Sequence, residues 1–375
     1  MSFKRLFSRS LAAAPGRLHM AAHSHHLWPD ATREAQGQYW EDSAALADHK
    51  WDKVMGEVLP EAQGHVAAEL GLPDPNTVVF APNTHTLIVA LFSALKSPAR
   101  VLATDEEFHS FRRQSARWVE EGRIELEIAP AERFVDAARN GRHDLIFASH
   151  VSFKSGRVFD DLLSLADLSR PEGPWLVIDG YHGFRAVPTD LSAIAGRCFY
   201  LGGGYKYAMA GEGCAFMHAP PGFGSRPGIT GWYAEFGDLE GPPGGVGYAR
   251  NATRFMGATF DPSGLYRFNA VARMLEAEGL TTAAVSDHVR SLQAQLIDGL
   301  ADTPLSNAEL LNPLGPGPHA RFLAFRHPHA PAWKSALMDR DIITDVRDDV
   351  LRIGLGLYHD ASDIDRLVAG LSALR

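Results

Sequence analysis

The chain has 375 residues, enough for two domains with a proper core, and at 45% hydrophobic and 22% charged residues it falls outside the disordered and fibrous classes. A formal net charge of -9 argues against a nucleic-acid surface, and no apolar run approaches the ~18 residues that a membrane span needs. Two cysteines, Cys198 and Cys214, provide neither a disulfide framework nor a zinc spacing, so a reduced, cytoplasmic setting is expected.

The first 23 residues carry Lys4, Arg5, Arg9 and Arg17, three serines and no acid. That composition resembles a transit peptide. An apolar pattern (Phe3, Leu6, Phe7, Leu11) runs through it without a clear cleavage signal, which favours an amphipathic arm packed on the body or on a partner subunit. HSHHLWP follows from His23. His23 and His25 form an HxH pair, as in some metal-dependent amidohydrolases, where the pair follows a strand. Here PGRLHMAA precedes it and makes a poor strand, so polar residues lining a cleft or the surface are expected, and no metal. Asp30 to about Gly56 reads as a polar helix.

From Asn76 a regular alternation sets in. TVVFAP is a strand and His85–Leu95 an apolar helix. ARVLATD is a strand and Ser110–Glu121 a helix. IELEIAP is a strand, Ala131–Asn140 a helix, DLIFASHV a strand, Asp160–Leu168 a helix and WLVIDGYH a strand. Thr189–Ala195 reads as a short helix, and Cys198–Leu201 and Cys214–Met217 as two more strands. Continuous apolar strands alternating with helices imply a mostly parallel sheet covered on both faces, here of seven strands.

Ligands in such sheets sit at the carboxyl ends of the strands. Asn83 and Thr84 follow the first strand and open a helix, the geometry in which free backbone N–H groups bind an anion; either is equally a helix cap. Phe108, Ser149, Asp179 and His182 follow later strands. Lys206 lies in CFYLGGGYKYAMAGEG, between Tyr205 and Tyr207 and between two probable strands. Glycines on both sides permit tight backbone there. A lysine presented in this way suits Schiff-base chemistry, and a surface lysine in a glycine-rich hairpin is the alternative.

Pro220–Asp261 is irregular and rich in Gly and Pro, and a stretch of that length is usually functional or interfacial. Two helices, Ser263–Glu278 and Thr281–Leu300, lead to a smaller αβ unit: HARFLAFRHP as a strand, Ala332–Asp339 as a helix, VLRIGLGLY as a strand and Ala361–Leu374 as a last helix. The expected organisation is 1–50 as N-terminal arm and part of a small domain, 51–262 as a large domain, and 263–375 as a small C-terminal domain.

An aldehyde cofactor with a phosphate and a pyridine nitrogen fits these parts. Lys206 forms the Schiff base. Asp179 keeps the pyridine nitrogen protonated, which makes the ring an electron sink. Phe108 or His182 covers a ring face, and Asn83 and Thr84 hold the phosphate.

The same segments resemble the fold-type I pyridoxal-phosphate enzymes of the class V aminotransferase group, and among them kynureninase. DGYHGFRAVPTDL resembles the family's Asp-x-x-His segment, and GGYKYAMAGEGCAF its Tyr-Lys-Tyr-Leu-Asn-Gly-Gly-Pro-Gly block. SHVSFKSGRVFDDLLSL resembles the segment ending in Thr-Gly-Arg/Gln, and GITGWY its Ser-Gly-Trp-Phe. The stretch from FLAFRHP to ASDID resembles the C-terminal region, where an arginine precedes a Leu-Tyr pair. The resemblance implies a homodimer with the active site at the subunit interface. It implies Tyr205, Trp232 and Thr259 at the phosphate, the last two reaching in from the second subunit, and Ser149 against the ring. It implies Arg352 on the α-carboxylate of an amino-acid substrate, where a guanidinium fork matches two oxygens. Three places depart from the pattern: HSHH, which puts Ser24, His25 and His26 where substrate contacts are expected, AMAGEG after the lysine, and GATFDP.

The implied reaction is kynureninase-like hydrolysis of a Cβ–Cγ bond. Class V transamination and β-elimination use the same site. A cysteine desulfurase needs a nucleophilic cysteine on a mobile loop, whereas Cys198 and Cys214 read as strand residues. A metal-dependent hydrolase built on His23–His26 and a non-catalytic binding protein of the same fold are the readings of a different class.

Overall fold

The structure, a computed structural model, describes residues 2–238 and 245–374. Strand β1 (Leu18–His19) belongs to the N-terminal arm. The large sheet contains β2 (Val78–Ala81), β3 (Ala99–Thr104), β4 (Ile124–Ala129), β5 (Leu145–Ser149), β6 (Trp175–Asp179), β7 (Cys198–Gly203) and β8 (Ala215–His218), in the spatial order β2-β8-β7-β6-β5-β3-β4. β8 runs antiparallel to both of its neighbours, β2 and β7, and the pairings among β7, β6, β5, β3 and β4 are parallel. The central strands β5, β6 and β7 are buried at every position, as their unbroken apolar runs require of a sheet covered on both faces. At the edge, β4 alternates instead and leaves Ile128 half exposed.

Two cores sandwich this sheet. One gathers Leu102, Ile146, Leu176, Ile178 and Tyr200 against Val66 and Leu70 of the helix Leu59–Leu70. The other gathers Val101, Phe147, Val177 and Phe199 against Leu91 of the helix Thr84–Phe92 and against Phe111 and Trp118 of the helix His109–Glu120. Phe111, Ser115 and Trp118 are that last helix's buried residues, and the spacing of four and three puts them on one face.

The smaller sheet holds β9 (Glu309–Leu310), β10 (Phe322–Arg326), β12 (Asp345–Arg347) and β13 (Val350–Gly354). Between them in the chain, β11 (Ile342–Ile343) pairs in parallel with β1, so the N-terminal arm is stitched into the C-terminal layer. Phe7 and Met20 of the arm are fully buried.

Two expected helices differ. The α-helix from Asp30 stops at Leu46, because Ala47 takes φ 51; a 3-10 turn at Ala47–His49 follows, and helical turns run on from Lys50 to Leu70. Thr189–Ala195 forms turns rather than a helix. Asp190 Oδ1 accepts the Ser192 N–H at 2.8 Å, a local bond that competes with helical pairing, and Leu191 donates its N–H to Leu70 O at 2.8 Å. Within Pro220–Asp261 short 3-10 turns appear at Trp232–Asp238 and Ala252–Phe255, and residues 239–244 lie outside the described residues.

Candidate active site

The carboxyl ends of β3, β5, β6 and β7 open on a pocket of about 380 Å³. Its wall includes Asn83, Thr84, Phe108, Ser149, Asp179, His182, Tyr205 and Lys206, eight of the residues singled out in the sequence. Strand register explains the convergence: Ser149 ends β5 directly opposite Asp179, which ends β6.

The lysine is held by a loop folded back on itself. Gly204 donates its N–H to Cys214 O at 2.7 Å, and Ala210 donates to Gly204 O at 2.8 Å. Gly211 sits at φ 74 with the Trp28 ring so close that an added Cβ would lie 2.2 Å from it, so the loop needs glycine there. Lys206 is buried, and its Nζ lies 5.2 Å from the Tyr181 ring centroid, 5.7 Å from that of Tyr205 and 6.0 Å from that of Phe153. No ion pair fixes its amine among the described residues. Burial lowers its basicity against the opposing charge of Asp179, so the neutral amine is accessible. Asp179 is buried too. Burial raises its pKa, while the Tyr181 N–H, donated to Oδ1 at 2.8 Å, and Lys206 act the other way.

Asn83 caps the helix Thr84–Phe92 by accepting the Thr86 N–H at 2.9 Å. The cap is therefore built, and the helix start still faces the pocket. Thr84 Oγ1 is buried without a hydrogen-bond partner, with the Tyr181 phenol beside it. An orphaned hydroxyl at a helix start, a buried lysine and a buried acid fit the phosphate-bearing aldehyde expected from the sequence. The aromatic walls fit its ring. His182 lies parallel to Phe153, 5.7 Å away at 1°, and is held neutral because burial, Lys206 and Arg352 all oppose its protonation.

The remaining candidates lie away from the wall. Arg352 on β13 is 1% exposed and sits behind Phe153, its guanidinium 4.7 Å from that ring. Nη1 donates to Phe153 O, Nη2 donates to Asp345 Oδ2, and Nε is buried without a partner. Asp345 also accepts from Arg347 at 2.6 Å and lies 3.3 Å from His23 Nε2, and the His23 hydrogen bond with the charges of Arg352 and Arg347 holds it well below the usual carboxylate range despite burial. The three histidines of the HSHH cluster are dispersed. His23 goes to Asp345, and His26 is buried with Nδ1 2.8 Å from Leu27 O. His25 stacks on Tyr205 at the rim, 5.1 Å between centroids, with Ser24 Oγ 3.3 Å from its Nδ1. That dispersal leaves no common metal-binding centre. Trp232 stacks on Tyr233 at 4.1 Å, and Thr259 is exposed; neither lines the pocket within one chain. Both cysteines are buried, and burial pushes their thiols up to about 12, which suits core packing rather than nucleophilic attack.

Several residues at the site escaped the sequence reading. Tyr181, Phe153, His85 and His109 line the pocket. Asp345 and Glu107 stand behind it. Each adjoins a recognised residue, but nothing in its local pattern marks it.

The family model for the kynureninase C-terminal domain matches residues 285–371. The isopenicillin N epimerase of Streptomyces clavuligerus is 29% identical, over 88% of this chain and 89% of that one. The kynureninase of Deinococcus radiodurans is 28% identical, over 96% and 86%. Among solved structures, a C-DES mutant with glycine covalently linked to its PLP cofactor superposes with a TM-score of 0.82 at 17% identity, covering 100% of both chains. At that identity the likeness is one of fold.

Proposed function

We propose that this chain, a pyridoxal-phosphate enzyme of fold type I and the class V aminotransferase group, is a kynureninase-like hydrolase that breaks a Cβ–Cγ bond in an amino acid. The observation that carries the hydrolytic reading is the kynureninase match over 285–371, because that segment holds Asp345, Arg347 and Arg352 behind the pocket. Fold and lysine alone support any reaction of the group.

When bound, the cofactor supplies an electron sink for the charge left by α-proton loss. The chain's residues then have these roles. Thr84, Asn83 and the first N–H groups of their helix hold the phosphate, and the orphaned Thr84 hydroxyl gains a partner. Asp179 supplies negative charge at the end of β6. Phe108 and His182 confine the ring. Lys206, neutral at its buried position, takes a proton at Nζ and returns it. Arg352 receives the α-carboxylate in exchange for Asp345, which keeps Arg347 as its partner. Water adds to the γ-carbonyl carbon, the Cβ–Cγ bond breaks and Cβ takes a proton, leaving alanine and a carboxylic acid. His25 and Tyr205, stacked at the rim, are placed to handle the water's proton. Trp232 and Thr259 complete the phosphate site from a second subunit in a homodimer.

A second reading, inversion at Cα, is favoured by the likeness to isopenicillin N epimerase, which spans most of both chains. Purified, cofactor-loaded protein incubated with kynurenine, 3-hydroxykynurenine and a panel of amino acids tests both. Alanine with an aromatic acid supports hydrolysis; a D-amino acid, a keto acid or ammonia in its place replaces that reading with epimerisation, transamination or elimination.

A further inference from the structure

Glu107 follows β3 and is 2% exposed. None of the roles above falls to it. Its Oε1 accepts the Ser149 N–H at 3.1 Å and the Thr104 hydroxyl at 2.6 Å. Its Oε2 lies 2.6 Å from Ser149 Oγ. The carboxyl group is therefore clamped across both polar atoms of Ser149, a residue of the pocket wall.

Two proton arrangements satisfy these distances, and they have opposite consequences. An ionised carboxylate only accepts, so Ser149 must donate its hydroxyl proton to Oε2. Ser149 then offers the pocket lone pairs alone. A neutral carboxyl keeps Oε1 as the carbonyl oxygen, accepting from the Ser149 N–H and Thr104, and donates its own proton from Oε2 to Ser149 Oγ. The serine proton is then free to be donated into the pocket. The bond lengths are the same in both cases, and only the direction of one hydrogen bond changes.

The surroundings favour the neutral form. The groups that face the carboxyl from the packed elements are Thr104 on β3, Ser149 on β5 and Asp179 on β6, with no cation among them. Burial is the largest influence and pushes Glu107 up to about 8; its hydrogen bonds to Ser149 and Thr104 oppose this, and the charge of Asp179 adds to it. Burial raises both acids at this sheet edge, but the charge of Lys206 opposes the rise at Asp179, whereas no cation opposes it at Glu107.

We propose that Glu107 is a positioning residue whose carboxyl proton, acting through Ser149 Oγ, decides whether the β5 wall of the pocket donates or accepts a hydrogen bond to the cofactor. The proposal rests on pyridoxal phosphate occupying this pocket, and retention of the cofactor by the parent protein tests that premise separately.

The test uses the Lys206→Ala protein loaded with pyridoxamine 5'-phosphate, so that no imine titrates, with absorbance of the bound ring followed against pH. A transition centred near pH 8 is expected. In Lys206→Ala/Glu107→Gln the amide donates to Ser149 Oγ at every pH, so the transition should vanish and the spectrum stay in its low-pH form. In Lys206→Ala/Ser149→Ala, which leaves the acid in place but cuts the relay, the transition should vanish too. A transition that keeps its midpoint and amplitude in either double variant overturns the proposal. Infrared spectra of the wild-type holoenzyme give a reading that needs no turnover and no stable Lys206 variant: at pH 6.5 the carbonyl stretch of a neutral carboxylic acid should be present and should disappear in Glu107→Gln. Absence of that band in the wild type overturns the proposal as well.

Discussion

Arg352→Ala should weaken binding of α-amino acids while leaving the cofactor in place. The guanidinium is fully buried behind Phe153 and already spends Nη1 on Phe153 O and Nη2 on Asp345. A substrate carboxylate replaces one charge-assisted bond by another and gains the unpartnered Nε–H in addition. A hydrogen bond to a charged group contributes about 1.5–3 kcal/mol, so losing it should raise the apparent dissociation constant roughly 10- to 150-fold. Lysine at 352 keeps the charge but loses the fork, and should fall between the two. The assay is a spectral titration of the loaded protein with an α-amino acid and with the matching amine that lacks the carboxylate. Arginine removal should affect the acid and leave the amine unchanged, with cofactor retention after dialysis equal in both proteins. An acid-to-amine affinity ratio that stays within twofold of wild type refutes the carboxylate role. Stability offers a second handle. In Arg352→Ala the Asp345 carboxylate keeps Arg347 at 2.6 Å and His23 at 3.3 Å. In Asp345→Ala a buried guanidinium is orphaned, at a cost of about 3–5 kcal/mol. Denaturant unfolding should therefore find Asp345→Ala the less stable of the two.

Lys206→Ala should abolish covalent retention of the cofactor after borohydride reduction, read by mass spectrometry of the peptide; retention on another lysine would reject the assignment. Cys198→Ala and Cys214→Ala together should preserve turnover, since both thiols are buried and pushed up to about 12; loss of turnover in a folded double variant would restore the cysteine as nucleophile. Mild acid should destabilise the fold. Burial lowers His150 from 6.5 to about 4, so the unfolded chain binds the proton more readily, and the stability present above pH 6.5 is lost as pH falls towards 4. At pH 5.5 this one group removes about 1.4 kcal/mol, and His150→Phe should recover about that much in denaturant unfolding at pH 5.5 relative to pH 7.5. An equal acid loss in both proteins would show that His150 is not the source.

The large sheet was legible because its central strands are continuous apolar runs, and chemistry-bearing residues follow β2, β3, β5, β6 and β7. Ser149 and Asp179 need only the parallel register of β5 and β6 to meet. Lys206 needs only the glycine-rich hairpin between β7 and β8. The helix at Thr189–Ala195 was misread because periodicity says nothing of an aspartate that bonds the backbone two residues on. Arg352 was assigned by resemblance, and its surroundings were not anticipated. Asp345 is seven residues away in the chain and directly opposite across an antiparallel pair, and Phe153 comes from the turn that follows β5, 199 residues away. Such contacts are fixed by how the two sheets meet, and no local pattern records them.

That division explains why the cofactor is better defined than the substrate. Every group assigned to the cofactor's ring or phosphate from one chain hangs on an edge of the large sheet, so local sequence dictates it. The groups assigned to the substrate outside the large sheet come from two places: the arm (Ser24, His25) and the small sheet (Arg352). Their meeting depends on the β1–β11 pairing and on the bridge Ala21–Gly354, which tie the arm to the C-terminal layer. His23, Asp345, Arg352, Phe153 and His182 then form one continuous stack from the arm to the pocket wall. A substrate carboxylate that draws Arg352 away from Asp345 changes the charge next to His23 in the same step. On the proposed role of Arg352, the grip on the α-carboxylate that every α-amino acid carries depends on how firmly Asp345 holds its arginine, a quantity set by the C-terminal layer rather than by the lysine loop.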